Sequence, residues 1–252
     1  MTSSPLKPSF TLAAPGDGTA YWIYVEEPGA TPGTGLWPVV LFMDGDDQFA
    51  AGVAAYRAAR DAGEVPPLLL AGVGYGAGYS KPQNRRGRDY TPDAHGDEPA
   101  SGGADEFLKF LTATLLPELA RRYPMDGDKR GIAGHSLGSL LVLHALFQEK
   151  PFFTHHLASA PSLWWADRAM LGRVTALRER QAALPAKLYL SVGGKDSASM
   201  TGDLTLLEKQ LTEKPFAGLD FVTRRFEKKN HFNVLPAAFG AGLAALFGPG
   251  KK

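Results

Sequence analysis

Ser136 lies at the centre of Gly134-His135-Ser136-Leu137-Gly138, a segment with the pattern G-x-S-x-G. The segment before it, Arg130-Gly-Ile-Ala-Gly134, predicts a strand, and the apolar segment after it, beginning at Leu137, predicts a helix. In a sharp strand-to-helix turn, a serine projects its hydroxyl above the sheet, and the two glycines leave room for the crowded backbone. This setting favours a nucleophile at Ser136; the alternative is a Gly-Ser turn in which Ser136 only caps the helix.

A serine nucleophile needs a base and an acid that orients the base. Among the six histidines, His231 follows the last predicted strand and precedes the last predicted helix. Hydrolases with this elbow place serine, acid and histidine in that chain order, so we assign His231 as the base. Asp196, shortly after the strand that ends at Val192, is the expected acid. Asp203 competes with it but suits a helix cap better, Asp220 lies at the wrong end of its strand, and His135 is expected to point away from Ser136.

Two backbone amides are expected to stabilise the oxyanion that forms during attack on a carbonyl. One is the amide of Leu137, at the positive end of the predicted helix. The other comes from the turn after the strand Pro38–Met43, where Gly45 permits a tight turn and the amide of Asp46 or Asp47 can point inward. We favour Asp46. The acidic residues of this turn lack the remainder of an EF-hand loop, so no metal site is predicted, and their charges suit the start of the following helix.

These residues require a sheet to position them, and the sequence alternates predicted strands and helices. This alternation indicates a mostly parallel sheet of about eight strands with helices on both faces, an α/β fold in one domain over residues 1–252 with its core at about 18–248. The expected strands are Ala20–Val25, Pro38–Met43, Leu68–Val73, Lys129–Gly134, His156–Ala160, Lys187–Val192 and Phe221–Phe226. The expected helices are Phe49–Ala62, Ala104–Tyr123, Leu137–Gln148, Asp167–Ala183, Leu204–Thr212 and Leu235–Phe247. The segment Gly74–Gly103 is expected to be a long loop, and loops of this length are often functional.

The composition narrows the classes of function. The chain has 252 residues, a net charge of +1 and no cysteine. Balanced charge disfavours nucleic acid and anionic membranes as partners, and the lack of cysteine excludes disulfides, thiolate metal sites and cysteine nucleophiles. Residues 1–10 lack the apolar core of a signal peptide and no apolar run is long enough to span a membrane. We therefore expect a cytoplasmic protein, or a periplasmic or secreted one if a signal peptide has been removed.

Several segments, in order, resemble the putative esterase family of the α/β-hydrolase superfamily, which includes esterase D and the enterochelin (siderophore trilactone) esterases. They are LFMDGDDQF, RRGRDYTP, GGADEFLKFLTATLLPELARRY, GIAGHSLGSLLVLHALF, ASAPSLWW, SVGGKD and NHFNVLP. The resemblance spans roughly residues 18–248. It implies a carboxylic-ester hydrolase that needs no cofactor. No insertion in the sequence is long enough to predict a large cap domain that would form a closed lid. Ser136 matches the family's nucleophile, His231 its base and Asp196 the position of its acid, where close relatives often carry glutamate.

The resemblance also places the RRGRDYTP segment near the mouth of the site. Arg85, Arg86 and Arg88 are candidates to bind an acidic or polyhydroxylated substrate, with Arg85 and Arg88 favoured; the alternative is that one arginine pairs with Asp89 or with a carbonyl to hold the loop. Trp164 and Trp165 follow the strand after the elbow helix. One of them is expected to pack against the substrate and the other to belong to the core.

The expected activity is therefore that of a serine carboxylesterase acting on small or medium acyl esters through an acyl-enzyme. A siderophore trilactone esterase and an acyltransferase of the same fold are alternatives, and a non-catalytic binding module is a third class. Fold does not identify the substrate, and lactones, sugar acetates and feruloyl esters all suit the family. An open site without a lid argues against long-chain triglycerides.

Overall fold

The computed structural model describes residues 7–29, 35–96, 98 and 100–249. Eight strands form one sheet in the order β1-β2-β4-β3-β5-β6-β7-β8. Neighbouring strands from β4 to β8 run parallel, whereas β2 is antiparallel to both β1 and β4. The strands are β1 Phe10–Ala13, β2 Ala20–Glu26, β3 Trp37–Phe42, β4 Leu69–Gly74, β5 Met125–His135, β6 His155–Ser159, β7 Ala183–Gly193 and β8 Ala217–Phe226. The predicted mostly parallel sheet of about eight strands is confirmed.

Helices cover both faces of the sheet. Helices α1 and α8 pack on one face, and the remaining long helices pack on the other. The helices are α1 Phe49–Asp61, α2 Arg86–Asp89, α3 Ala104–Phe110, α4 Leu116–Arg122, α5 Leu137–Leu146, α6 Trp165–Arg180, α7 Ala198–Glu213 and α8 Leu235–Phe247. Among the residues described, none of these helices is long and apolar enough to cross a lipid bilayer, and no large cap covers the sheet.

Strand β3 shows how the sequence encodes this layering. Val39 and Leu41 face the helices α3–α7, while Val40 and Phe42 face α1 and α8, and all four are fully buried. A strand between two helical layers has no solvent-facing side, so it is apolar throughout. This is the continuous apolar run that predicted a buried strand at Pro38–Met43.

The expected helix over Ala104–Tyr123 is interrupted by a π-helical turn at Leu111–Leu115, between α3 and α4. Pro117 lies at the start of α4 and has no backbone N–H to donate to the preceding turn. Its ring would also clash with the carbonyl of the residue four positions earlier, and a widened turn relieves that clash. Periodicity alone predicted an uninterrupted helix because the π turn keeps Leu111 and Leu115 in the core.

Candidate active site

Ser136 occupies the single residue between the end of β5 and the start of α5, with φ 59° and ψ −121°. This conformation is costly for a residue with a side chain and is found where surrounding structure enforces it. A Cβ at Gly134 would lie 2.4 Å from the carbonyl carbon and oxygen of Gly138, so only glycine fits there. The turn therefore has the geometry of a nucleophile elbow, and Ser136 is half-buried in it.

The backbone of Ser136 is fixed by the strand next to it. Its N–H donates to the carbonyl of Ser159 at 3.0 Å, and its carbonyl accepts from the N–H of Ser162 at 3.3 Å. The Ser136 hydroxyl lies 3.3 Å from the Ser162 hydroxyl. Within the described residues, this is the side-chain hydrogen bond that the Ser136 hydroxyl makes, and none joins it to His231.

His231 and Asp196 are brought together from the loops after β8 and β7. His231 Nδ1 lies 2.9 Å from Asp196 Oδ2, and the carboxylate is buried while the imidazole is partly exposed. The other carboxylate oxygen of Asp196 accepts from the backbone N–H of Ser197 at 2.8 Å. An imidazole whose Nδ1–H donates to a carboxylate presents Nε2 as a base, which is the arrangement that general-base catalysis requires.

The two loops are joined to each other through their backbones. The N–H of Lys195 donates to the carbonyl of Lys229 at 2.8 Å, and that of Gly194 donates to Phe226 at 2.9 Å. A Cβ at Gly193 would lie 2.5 Å from the Lys229 carbonyl oxygen, so glycine is needed for this close approach. Asp196 and His231 therefore hold a fixed position relative to each other.

Of the competing acids, Asp203 is engaged elsewhere. It is buried on α7, and Arg168 Nε donates to its Oδ1 at 2.7 Å. Asp220 lies within β8 beside Lys187 of β7, near the end of the strand that is remote from His231. Asp196 is the aspartate in contact with His231.

The side chain of His135, the residue before Ser136, contacts His231. Its ring centroid lies 4.6 Å from that of His231, and its Nδ1 is 3.0 Å from the Ser159 hydroxyl. Burial lowers the pKa of His135 to about 3, so this imidazole is neutral at neutral pH. The contact with His231 was not predicted from the sequence, which gave only the expectation that His135 points away from Ser136.

The two expected oxyanion donors lie in the turns that flank the elbow. Leu137 is the first residue of α5. The turn after β3 packs against the same helix start, because a Cβ at Gly138 would lie 3.2 Å from Met43 Cβ and 3.3 Å from Asp44 Oδ2. The Asp46 carboxylate anchors this turn by accepting from the Tyr75 N–H at 2.5 Å and from the Gly76 N–H at 3.1 Å. That the Leu137 and Asp46 amides bind the oxyanion stays a prediction.

A buried ion pair supports the turn after β3. Arg86 Nε and Nη2 donate to the two oxygens of Asp44 at 2.8 and 3.0 Å, and the guanidinium lies 4.7 Å from the Tyr79 ring centroid. Asp44 has φ 55°, and its N–H donates to the Tyr90 hydroxyl at 2.9 Å. Burial raises the pKa of Asp44, and Arg86 opposes that rise.

The acidic residues of this turn were expected to favour the start of the following helix. That explanation is wrong for Asp44 and Asp46, whose carboxylates bind Arg86 and loop amides instead. The first turn of α1 has no acidic residue. The sequence did not predict the ion pair between Asp44 and Arg86, because Arg86 lies 42 positions after Asp44 in the chain.

The family model of the putative esterases matches residues 18–233. The chain belongs to this family. It is an α/β-hydrolase that acts on carboxylic esters, as the resemblance implied.

Individual relatives of this esterase cover nearly the whole chain. The ferri-bacillibactin esterase BesA of Bacillus subtilis is 26% identical over 259 residues, which is 94% of this chain and 88% of BesA. The apo-salmochelin esterase of Escherichia coli is 26% identical over 253 residues, which is 92% of this chain and 76% of that protein. The crystal structure of the BES protein from Bacillus cereus superposes with a TM-score of 0.84 and 26% identity, covering 94% of this chain and 92% of that one.

Two arginines favoured for substrate binding are engaged by acidic side chains of this esterase. Arg88 Nε donates to Asp89 Oδ1 at 2.6 Å, and its Nη1 pairs with Asp17 at 2.5 Å. Arg85, which is more exposed, lies 3.5 Å from Asp17. The pairing of one arginine with Asp89, which was the alternative expectation, is present. A substrate role for Arg85 and Arg88 stays a prediction.

The two tryptophans have different surroundings. Trp165 is buried, and its indole N–H donates to the carbonyl of Asp93 at 2.9 Å, so it packs in the core and ties the long loop to α6. Trp164 is 43% exposed at the start of α6, beyond the end of β6. Trp164 is therefore the exposed member of the pair, and a substrate contact by its ring stays a prediction.

Proposed function

We propose that this esterase hydrolyses its substrate through an acyl-enzyme formed on Ser136, with His231 as general base and Asp196 as its orienting acid. The observation that carries the proposal is the 2.9 Å Asp196–His231 hydrogen bond, with the His231 ring packed against the residue that precedes Ser136. The strained conformation of Ser136 supports it, since elbows of this kind present a nucleophile.

In the first half of the reaction, His231 Nε2 takes the proton from Ser136 as the serine oxygen bonds to the ester carbonyl carbon. The amides of Leu137 and Asp46 donate to the oxyanion, and the protonated His231 returns the proton to the departing alcohol. In the second half, His231 takes a proton from water, the hydroxide attacks the acyl-enzyme, and Ser136 recovers its proton as the acid departs. Asp196 holds the imidazole in place and stabilises the imidazolium.

We further propose that the substrate class is the ester bonds of siderophore lactones. Two relatives that match most of this chain are named for ferri-bacillibactin and apo-salmochelin. This favours the trilactone alternative over a general preference for small acyl esters. The exposed Trp164 offers a flat apolar surface for such a ligand.

The first experiment compares wild type with Ser136→Ala on 4-nitrophenyl acetate, butyrate and octanoate. The variant is expected to lose at least about 10³-fold in kcat, since the nucleophile is removed. Ser80→Ala, an exposed loop serine, is the matched control and keeps wild-type activity. A fluorophosphonate labels wild type and Ser80→Ala in one-to-one ratio and leaves Ser136→Ala unlabelled. Equal activity in Ser136→Ala would refute the assignment of the nucleophile.

The substrate class is tested separately by chromatography of the products released from a cyclic catecholate trilactone. A kcat/KM higher for the trilactone than for any of the 4-nitrophenyl esters supports the siderophore assignment. If the enzyme cleaves 4-nitrophenyl butyrate but leaves the trilactone intact, the siderophore assignment is wrong and small acyl esters are the favoured substrate class. Transfer of the acyl group to an added alcohol, in place of hydrolysis, would identify an acyltransferase.

A further inference from the structure

The contact between Ser162 and Ser136 involves the reacting oxygen itself. The two hydroxyl oxygens are 3.3 Å apart, and Ser162 is 1% exposed. Among the side chains described, Ser136 is the hydrogen-bond partner of the Ser162 hydroxyl. A buried hydroxyl with a single polar neighbour has one direction in which to place its proton.

The backbone around Ser162 holds that hydroxyl in place. The N–H of Ser162 donates to the Ser136 carbonyl at 3.3 Å, and Ala160, two residues earlier, donates to Ser191 of β7 at 2.6 Å. Ala160 has φ 47°, a conformation that a residue with a side chain adopts only where its surroundings enforce it. The loop after β6 is thus attached both to the elbow and to the sheet.

The direction of the Ser136–Ser162 hydrogen bond follows from proton count, given the function proposed above. Each hydroxyl carries one proton. When Ser136 gives its proton to His231, its oxygen can only accept from Ser162. The Ser162 O–H is then a donor aimed at an oxygen that is gaining negative charge, and such donors stabilise the transition state more than the ground state.

We propose that Ser162 is a further catalytic residue that donates a hydrogen bond to the Ser136 oxygen. It acts as the Ser136 oxygen attacks the ester and again as that oxygen departs from the acyl group in deacylation. Ser162 keeps its own proton in both steps. The transferred proton passes from Ser136 to His231 and then to the alcohol, and in the second half from water to His231 and then to Ser136.

A purely structural role makes a different prediction. Ser139 serves as the comparison, because it is buried beside the elbow and shares its single hydroxyl proton between the carbonyls of Gly134 and Ser159, with no hydrogen bond to the Ser136 side chain. Loss of the Ser139 hydroxyl is expected to lower the melting temperature. Loss of the Ser162 hydroxyl is expected to lower kcat while the melting temperature changes little.

The test uses Ser162→Ala together with the matched pair Ser162→Thr and Ser162→Val, which have the same shape and differ in the hydroxyl. With 4-nitrophenyl butyrate, Ser162→Ala is expected to lose about 10- to 100-fold in kcat, since a hydrogen bond to an oxygen that becomes partly charged is stronger than one to a neutral hydroxyl. KM is expected to stay within about twofold, because the bond matters in the transition state. Threonine is expected to exceed valine by the same factor as wild type exceeds alanine.

The rate of inactivation by a fluorophosphonate measures only the attack of Ser136 on the inhibitor. In Ser162→Ala this rate is expected to fall by about the same factor as kcat. The inference is overturned if Ser162→Ala keeps at least half of the wild-type kcat, or if the threonine and valine variants are equally active. A failure of the proposed function itself is distinguishable, because wild type would then resist the fluorophosphonate or Ser136→Ala would remain active.

Discussion

Replacing Arg86 with glutamine would leave the Asp44 carboxylate buried without its cation. Arg86 is 19% exposed and Asp44 is not exposed at all, and two hydrogen bonds of 2.8 and 3.0 Å join them. Removing one member of a buried pair costs roughly 3–5 kcal/mol, and the partial exposure of Arg86 places this case at the lower end, about 3 kcal/mol. We therefore expect the free energy of unfolding of Arg86→Gln to be about 3 kcal/mol below that of wild type at pH 8.

The loss depends on pH in a direction that the structure fixes. Burial raises the pKa of folded Asp44 above its ordinary value, and removing Arg86 raises it further. At a pH between the pKa of Asp44 in the unfolded chain and its higher pKa in the folded Arg86→Gln variant, the folded variant binds a proton that the unfolded chain does not. The folded variant is therefore stabilised at low pH and loses that stability as the pH rises through the folded pKa.

Urea denaturation at pH 5 and pH 8 measures both effects. The control is Arg57→Gln, whose arginine makes the same two-bond contact with Glu26 at 2.7 and 2.9 Å but is 57% exposed. It is expected to cost less than about 1 kcal/mol at both pH values. The reasoning is refuted if Arg86→Gln costs no more than the control, or if its cost is the same at pH 5 and pH 8.

Three further predictions concern the acid, the elbow and a buried histidine. Asp196→Asn is expected to lower kcat by roughly 10³- to 10⁴-fold with KM nearly unchanged, because the imidazole loses the group that fixes its tautomer; steady-state kinetics on 4-nitrophenyl butyrate checks this. Gly134→Ala places a Cβ 2.4 Å from backbone atoms of Gly138 and is expected to destabilise by more than about 2 kcal/mol, whereas Gly172→Ala, with nothing within 4 Å, does not, as urea denaturation would show. Burial lowers the pKa of His156 to about 3, so below about pH 6.5 the unfolded chain binds a proton that the folded protein does not, and the free energy of unfolding decreases as the pH falls. In His156→Leu, this decrease is expected to be smaller by up to about 1.4 kcal/mol per pH unit, as measured by urea unfolding at pH 7 and pH 5.

The parallel part of the sheet was predictable because its strands are buried on both faces and leave continuous apolar runs. Strand β1 was missed, since Phe10–Ala13 alternates half-buried and exposed residues over only four positions. Strands β5, β7 and β8 begin several residues earlier than predicted, because their first residues are largely polar or exposed and resemble loop. Those extensions are set by pairing between strands, which a local pattern does not encode.

At the site, the sequence pattern selected Asp196 and His231, which the fold places in hydrogen-bond contact, and the elbow that holds Ser136; their catalytic roles stay a prediction. Ser136, His231 and Asp196 each follow a strand of the parallel sheet, and chain order distinguished Asp196 from Asp203 and Asp220. The contacts that the sequence did not reveal join distant segments through ordinary polar side chains. Arg86 with Asp44, and Ser162 with Ser136, carry no motif of their own, so only the tertiary structure pairs them.

Strand β8 has hydrogen-bonding neighbours on one side only, and none of its residues is buried. Ser136, the proposed nucleophile, follows the central strand β5, whereas His231, the proposed base, follows this edge strand. Edge strands fray at a lower free energy than the centre of a sheet opens. We therefore expect mild denaturation to separate His231 from Ser136 before the centre of the sheet opens, so that activity is lost at a lower urea concentration than the fold.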